Sequence, residues 1–276
     1  MTDNAARYEL PEELLLDTAA ARRIIGDFIR AQLEQAGFER VVLGLSGGVD
    51  SALVAYLVAE AIGAERLLAL SMPYRTSSPD SLAHAQLVVG DLGCSSRVIE
   101  VTPMVDGYFY GQGDDISVLR RGNFAARARM AVLYDQSVTW GGLVAGTGNR
   151  TEWLLGYTTV YGDNACAFNP VGDLYKSQVR QLAAEMGVPT EILHKPPSAD
   201  LWPGQTDEGE VGFSYSDIDR LLYWLIDQRR TREELADKGI SGQLVDRVER
   251  MIANSEFKRH LPPVARLGLT GSAPAP

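Results

Sequence analysis

RVVLGLSGGVDS, at residues 40–51, is the stretch whose reading decides the fold. Its first half is a short, almost continuously apolar run, the pattern of a parallel strand buried on both faces. Its second half changes character within one residue. Ser46, Gly47, Gly48, Asp50 and Ser51 crowd small and polar side chains into a turn, which leads into an Ala-, Leu- and Val-rich helical pattern at 52–62. Glycines let backbone approach an anion closely, and the amides of the following helix turn meet that anion with the helix dipole behind them. Ser46 and Ser51 add hydroxyl donors. Asp50 does not favour a bare phosphate, so its position beside the loop suggests a bridging Mg²⁺. A Walker A loop would need a Lys before its final Ser or Thr, and none stands here, so γ-phosphoryl transfer is not the natural reading. A tight glycine turn would account for Gly47 and Gly48 alone, but poorly for the Ser, Asp and Ser around them.

Outward from this turn, apolar runs recur at 66–72, 97–101 and 143–147. Helical periodicity falls at 14–36, 81–92 and 124–138 as well as at 52–62. Strands alternating with helices predict an α/β protein: a doubly wound, open parallel sheet with helices on both faces and ligands at the carboxyl ends of its strands. A loop-rich stretch from 147 is expected to give way to a helix at 176–186. Three more helices are predicted at 216–227, 231–237 and 242–255, and residues 199–211, ADLWPGQTDEGEV, read as an acidic surface loop. The chain reads as one domain over 1–265 with a disordered tail at 266–276.

Composition narrows the partners. Of 276 residues, 45% are hydrophobic, and the formal net charge of −10 repels nucleic-acid backbones and anionic membranes, so neither is expected as a partner. Cys94 and Cys166 form no CxxC pair, so neither a disulfide framework nor a structural zinc site is suggested. The N-terminus carries acidic residues where a signal peptide would be basic, and no apolar run approaches the ~18 residues of a membrane span. A cytoplasmic location is the expectation.

SGGVDS resembles the SGGxDS loop of the ATP pyrophosphatases, which cut ATP between its α and β phosphates. GNFAARARM at 122–130, GTGNRTE at 146–152, GYTTVYGD at 156–163, NPVGDLYK at 169–176, KPPSADLW at 195–202 and SEFKR at 255–259 together resemble the NAD synthetase family. The resemblance runs from about residue 20 to residue 265 and implies the adenine nucleotide alpha hydrolase-like form of the sheet. It implies that Gly44, Leu45, Ser46, Gly47, Gly48, Val49, Asp50 and Ser51 bind ATP, together with Thr147, Lys176 and Ser198. Asp50 and Glu152 would hold Mg²⁺, and Arg127, Phe257 and Lys258 would contact deamido-NAD. Asp50, Asp163 and Lys176 would serve the chemistry itself.

The activity implied is amidation of deamido-NAD by ammonia through an adenylylated intermediate, with ATP as co-substrate and with NAD, AMP and pyrophosphate as products. Ammonia is expected as the nitrogen donor because the nucleotide-binding region starts by about residue 20 and neither cysteine stands in a glutaminase context. The family forms homodimers with the substrate site near the interface. Residues 73–81 and 199–211 are candidate lids over the anhydride. Many family members have Lys where this chain has Val160, an acidic residue where it has Ala167, and His where it has Phe257, all at positions associated with the dinucleotide. Two alternatives stand beside this reading: a related ligase acting on another carboxylate, and a sensor that holds ATP without turnover. Taken one by one, Glu152, Asp163, Lys176 and Arg127 would also suit an ordinary solvated surface.

Overall fold

The computed structural model describes residues 10–113, 115–196 and 214–265. Four parallel strands, β1 (Val41–Gly44), β2 (Leu67–Ser71), β3 (Ser95–Val98) and β4 (Leu143–Ala145), form one sheet in the order β3-β2-β1-β4. The chain thus moves outward on one side of β1, then crosses back to place β4 on the other. β1 is central, and its carboxyl end opens at the point where the strand order reverses, where doubly wound sheets bind ligands.

Alternating side chains on the central strands explain why both faces are covered. Val41 and Leu43 of β1, with Leu67 and Ala69 of β2, pack into one apolar cluster. Its helices are α1 (Thr18–Ala36), α2 (Val49–Ile62), α3 (Pro79–Leu92), α7 (Lys176–Glu185) and α8 (Thr190–Leu193). Val42, Leu68 and Leu70 point the other way, into a cluster with α4 (Thr102–Phe109) and α5 (Val118–Trp140). Each fully buried leucine in these layers contributes about 1.5–3 kcal/mol. A third cluster joins α6 (Arg150–Leu155) to α9 (Tyr215–Leu222), α10 (Arg232–Asp237) and α11 (Gly242–Ser255), through Leu155, Ile218, Leu221, Leu222, Leu235 and Val248. The doubly wound parallel sheet is therefore as the sequence indicated.

Several boundaries differ from the sequence reading. α1 starts at Thr18 rather than at residue 14, because the Asp17 carboxylate accepts from Ala20 N–H at 2.9 Å and caps the helix there. α2 starts at Val49, so Val49, Asp50 and Ser51, the last three residues of the glycine turn, form its first turn. β3 lies at Ser95–Val98 instead of 97–101; it is an exposed edge strand without the apolar run that marks its neighbours. The loop-rich stretch after 147 hides α6, and α4 was not foreseen. α9 ends at Leu222 and passes into one π turn at Tyr223–Asp227, where a single helix over 216–227 was expected. The expected acidic loop at 199–211 and the tail at 266–276 lie outside the described residues.

Candidate active site

The turn at 45–48 leaves β1 at its carboxyl end and enters α2 with Gly48 as the N-cap residue. The first helical bond there runs from Ala52 N–H to Gly48 C=O at 3.1 Å, so the N–H groups of Val49, Asp50 and Ser51 precede the ladder. Ser51 Oγ donates to Gly48 C=O at 3.0 Å and accepts from Ser46 N–H at 3.2 Å, which folds the loop back on the first helical turn. Gly47 has φ +76°, and a Cβ there would lie 2.1 Å from the backbone oxygen of Ser81. Only glycine fits between the loop and α3, which accounts for the first glycine of the pair.

Asp50, in the first turn of α2, is the meeting point of three elements. Its Oδ1 accepts from the Asn149 side-chain amide at 2.9 Å, and its Oδ2 pairs with the Lys176 ammonium. The same ammonium lies 3.5 Å from Glu152 Oε1 and 5.3 Å from the centre of the Tyr215 ring. Lys176 is 3% exposed, against 17% for each of the two carboxylates. One buried cation thus stands between two carboxylates, leaving the trio with a negative excess. Asn149 and Glu152 are held by a reciprocal capping box at the start of α6. The Asn-x-x-Glu spacing was readable in the sequence, yet Asn149 was not singled out as a partner of Asp50.

Asp50, Glu152 and Lys176 line a cavity of about 580 Å³, within the range of small-molecule sites. Thr147, at the end of β4, lines it too, as do Arg129, Arg180 and Lys195. Sequence reasoning assigned none of those three cations to the site. Arg129 Nε donates to Met72 C=O at 2.9 Å, and Lys195 Nζ donates to Ser81 Oγ at 2.9 Å, so residues 73–81 are tied down at both ends. Five cations face three carboxylates in the lining described, a cationic cavity in a chain of net charge −10.

At the opposite end of α6 from Asn149 and Glu152, the lining continues with Asp163 and Lys258, and this is the far end of the cavity from the first turn of α6. Asp163 Oδ1 accepts from Thr159 N–H at 2.7 Å. The carboxyl is open to the cavity but crowded by protein on its other sides. That desolvation raises its pKa, against the opposing pull of the Thr159 bond and of Lys258. Burial likewise lowers the Lys258 pKa, while Asp163 raises it. Lys258 Nζ donates to the backbone oxygens of Gly156 at 2.7 Å and Thr158 at 2.8 Å. Arg127 and Phe257 do not line this cavity among the described residues: Arg127 is exposed, with Nε on Val160 C=O at 3.1 Å, and Phe257 is 68% exposed. Val160 is half-buried and Ala167 exposed. Ser198 lies outside the described residues.

The family model for NAD synthase matches residues 22–262. The chain belongs to the NAD synthase family. It is 51% identical over 254 residues to the NH(3)-dependent NAD(+) synthetase of Trichlorobacter lovleyi, covering 92% of this chain and 93% of that protein. Over 241 residues it is 49% identical to the Fusobacterium nucleatum protein of the same name, covering 87% and 93%. Among solved structures, the NH3-dependent NAD synthetase of Campylobacter jejuni superposes with a TM-score of 0.78 at 34% identity, covering 91% of this chain and 100% of that one. The NMN synthetase of Francisella tularensis superposes at 0.82 with 29% identity, covering 92% and 100%. The family's adenine nucleotide alpha hydrolase-like fold is thus the fold of this chain.

Proposed function

We propose that this chain makes NAD from deamido-NAD, ammonia and ATP, and that it works as a cytoplasmic homodimer. The observation that carries the reading is the Lys176 ammonium buried between Asp50 and Glu152 at the mouth of the phosphate loop. ATP would lie with its β and γ phosphates on Ser46 to Ser51 and its α phosphate toward Lys176. The nicotinate carboxylate attacks the α phosphorus, and the bond from that phosphorus to the bridging oxygen breaks as pyrophosphate leaves. Ammonia then attacks the acyl carbon of the mixed anhydride, loses a proton, and expels AMP. No covalent bond to the protein is needed; the residues contribute alignment and charge neutralisation.

Asp50 and Glu152 suit Mg²⁺, which takes one or two carboxylates and fills its other positions with phosphate oxygens and water. The negative excess around Lys176 fits such a cation. When bound, Mg²⁺ supplies charge neutralisation at the phosphates. Lys176 holds the two carboxylates in place and offers a positive charge where negative charge grows. At the other end, Lys258 and Asp163 would face deamido-NAD, with Arg127 and Phe257 reaching it from the rim. The openness of that rim supports the homodimer reading. No helix among the described residues is long and apolar enough to cross a membrane.

The likeness to an NMN synthetase, together with Val160, Ala167 and Phe257, favours one rival: amidation of nicotinate mononucleotide, which lacks the adenylate half. Steady-state assays with each carboxylate, with ammonium or glutamine as donor, separate the readings. Deamido-NAD with ammonium should give the higher kcat/KM. A preference for the mononucleotide would move the substrate assignment, and efficient glutamine use by the purified chain would overturn the ammonia assignment. Analytical ultracentrifugation tests the dimer.

A further inference from the structure

Asp219, on α9, lies far in sequence from the motifs of the site and is 0% exposed. A fully buried carboxylate is costly unless its oxygens are occupied. Here they are. Oδ1 accepts from Thr151 Oγ at 2.5 Å, and Oδ2 accepts from Ser177 N–H at 2.7 Å and from the Ser177 hydroxyl. Thr151 Oγ in turn accepts from Lys176 N–H at 3.0 Å. Lys176 and Ser177 are the first two residues of α7, so their N–H groups have no helical partner of their own. Tyr175, at the N-cap position, sends its hydroxyl to Asp227 instead, at 2.8 Å.

We propose that Asp219 is a positioning residue for Lys176. Its carboxylate takes up the first-turn donors of α7, directly from Ser177 and through the Thr151 hydroxyl from Lys176, and so fixes where the Lys176 side chain begins. Because Thr151 precedes Glu152 in α6, the same carboxylate ties together the two segments that flank Asp50. Burial raises the Asp219 pKa to about 6, while the bonds from Ser177 and Thr151 and the nearby Lys176 lower it. α9 also carries Tyr215, whose ring lies beside the Lys176 ammonium, so one helix supports that lysine at both ends. Asp219 touches neither Asp50 nor Glu152; it acts through Thr151, Ser177 and the backbone of Lys176.

The inference rests on the amidation reading, and the experiment separates the two, since NAD formation by the unaltered protein tests that reading by itself. Measure pyrophosphate release with deamido-NAD, ammonium and Mg-ATP for Asp219→Asn, Thr151→Val and Thr151→Ser. An ångström-scale displacement of a charge-stabilising group costs up to about a hundredfold, so Asp219→Asn should lower kcat by roughly ten- to a hundredfold. Its KM for deamido-NAD should stay within about twofold, because the ground-state contacts of that substrate lie at the other end of the cavity. Thr151→Val should show the same split, and Thr151→Ser, which keeps the hydroxyl, should restore kcat. A kcat for Asp219→Asn close to that of the unaltered protein would overturn the proposal, and so would a KM that rises in step with the loss of kcat. If Asp219→Asn does not fold, the Thr151 pair decides: equal kcat for Val and Ser contradicts the relay through the hydroxyl.

Discussion

The two ends of the cavity are wired differently. Around Asp50, side chains meet one another: the Lys176 ammonium lies between Asp50 and Glu152, and the neutral Asn149 amide donates to Asp50. At the far end the hydrogen bonds go to backbone: Lys258 donates to the oxygens of Gly156 and Thr158 and Asp163 accepts from Thr159 N–H, while Arg127, outside the cavity lining, donates to that of Val160. The first arrangement fixes charges before any ligand arrives, which suits a site where charge shifts during reaction. The second holds the backbone at residues 156–159 in shape. Val160 and Phe257, two of the three departures from the usual family residues, fall at this second end.

The comparison implies that substitutions at the phosphate end act on turnover and those at the far end on binding. Lys176→Met should show the largest effect, a drop in kcat on the order of a hundred- to a thousandfold, since it removes a charge aimed at the transition state and leaves two carboxylates uncompensated. Asp50→Asn should likewise lose Mg²⁺-dependent turnover with little loss of fold. Pyrophosphate release reads both. A mere rise in KM for either would erase the distinction between the ends.

Gly47→Ala follows in size. The added Cβ meets the Ser81 backbone oxygen at 2.1 Å, and φ is +76°, so either the loop or α3 must move. ATP binding by calorimetry should weaken at least tenfold, about 1.4 kcal/mol. Unchanged ATP affinity would mean that the loop at Gly47 does not hold the phosphates.

This loop was legible because its signals are local: a buried strand, a glycine turn and a helix lie within a dozen residues. The core strands and long helices were legible for the same reason, through their periodicity. What joins them was not. Asp50 meets Lys176 across 126 positions and Asn149 across 99, and Thr151 meets Asp219 across 68. No period in the sequence reports such pairings. The family motifs placed Asp50, Glu152 and Lys176 in one site, but gave no hint of Asp219, which stands outside every motif. α4 escaped because it is short and carries Gly107, and the bounds of β3 were misplaced because it is a polar edge strand that buries little.

Asp219 also gives the support beneath the phosphate end a pH signature. Its pKa is raised from 3.8 to about 6 chiefly by burial, so the folded protein binds this proton more tightly than the unfolded chain does. The resulting stability is fully present below about pH 4 and is lost as pH rises to about 6, amounting to ~3 kcal/mol. Urea unfolding of the unaltered protein and of Asp219→Asn across this window should therefore show the unaltered protein losing ground to the variant as pH rises. The opposite slope would mean that Thr151 and Ser177 stabilise the anion more than burial opposes it.

The smallest effects belong to the rim. Arg127→Ala and Phe257→Ala should each raise the KM for deamido-NAD by less than about tenfold, with kcat nearly unchanged, because exposed contacts contribute roughly 1 kcal/mol or less. A loss of kcat at either position would show that the far end takes part in the chemical step.

The central claim is that the substrate carboxylate attacks the α phosphorus of ATP held by the Ser46 to Ser51 loop. Deamido-NAD labelled with oxygen-18 in its carboxylate, incubated with ATP, Mg²⁺ and ammonium, tests it in one mass spectrum. One labelled oxygen should appear in AMP and none in pyrophosphate. Label in inorganic phosphate with ADP as the co-product, or AMP without label, would contradict the account.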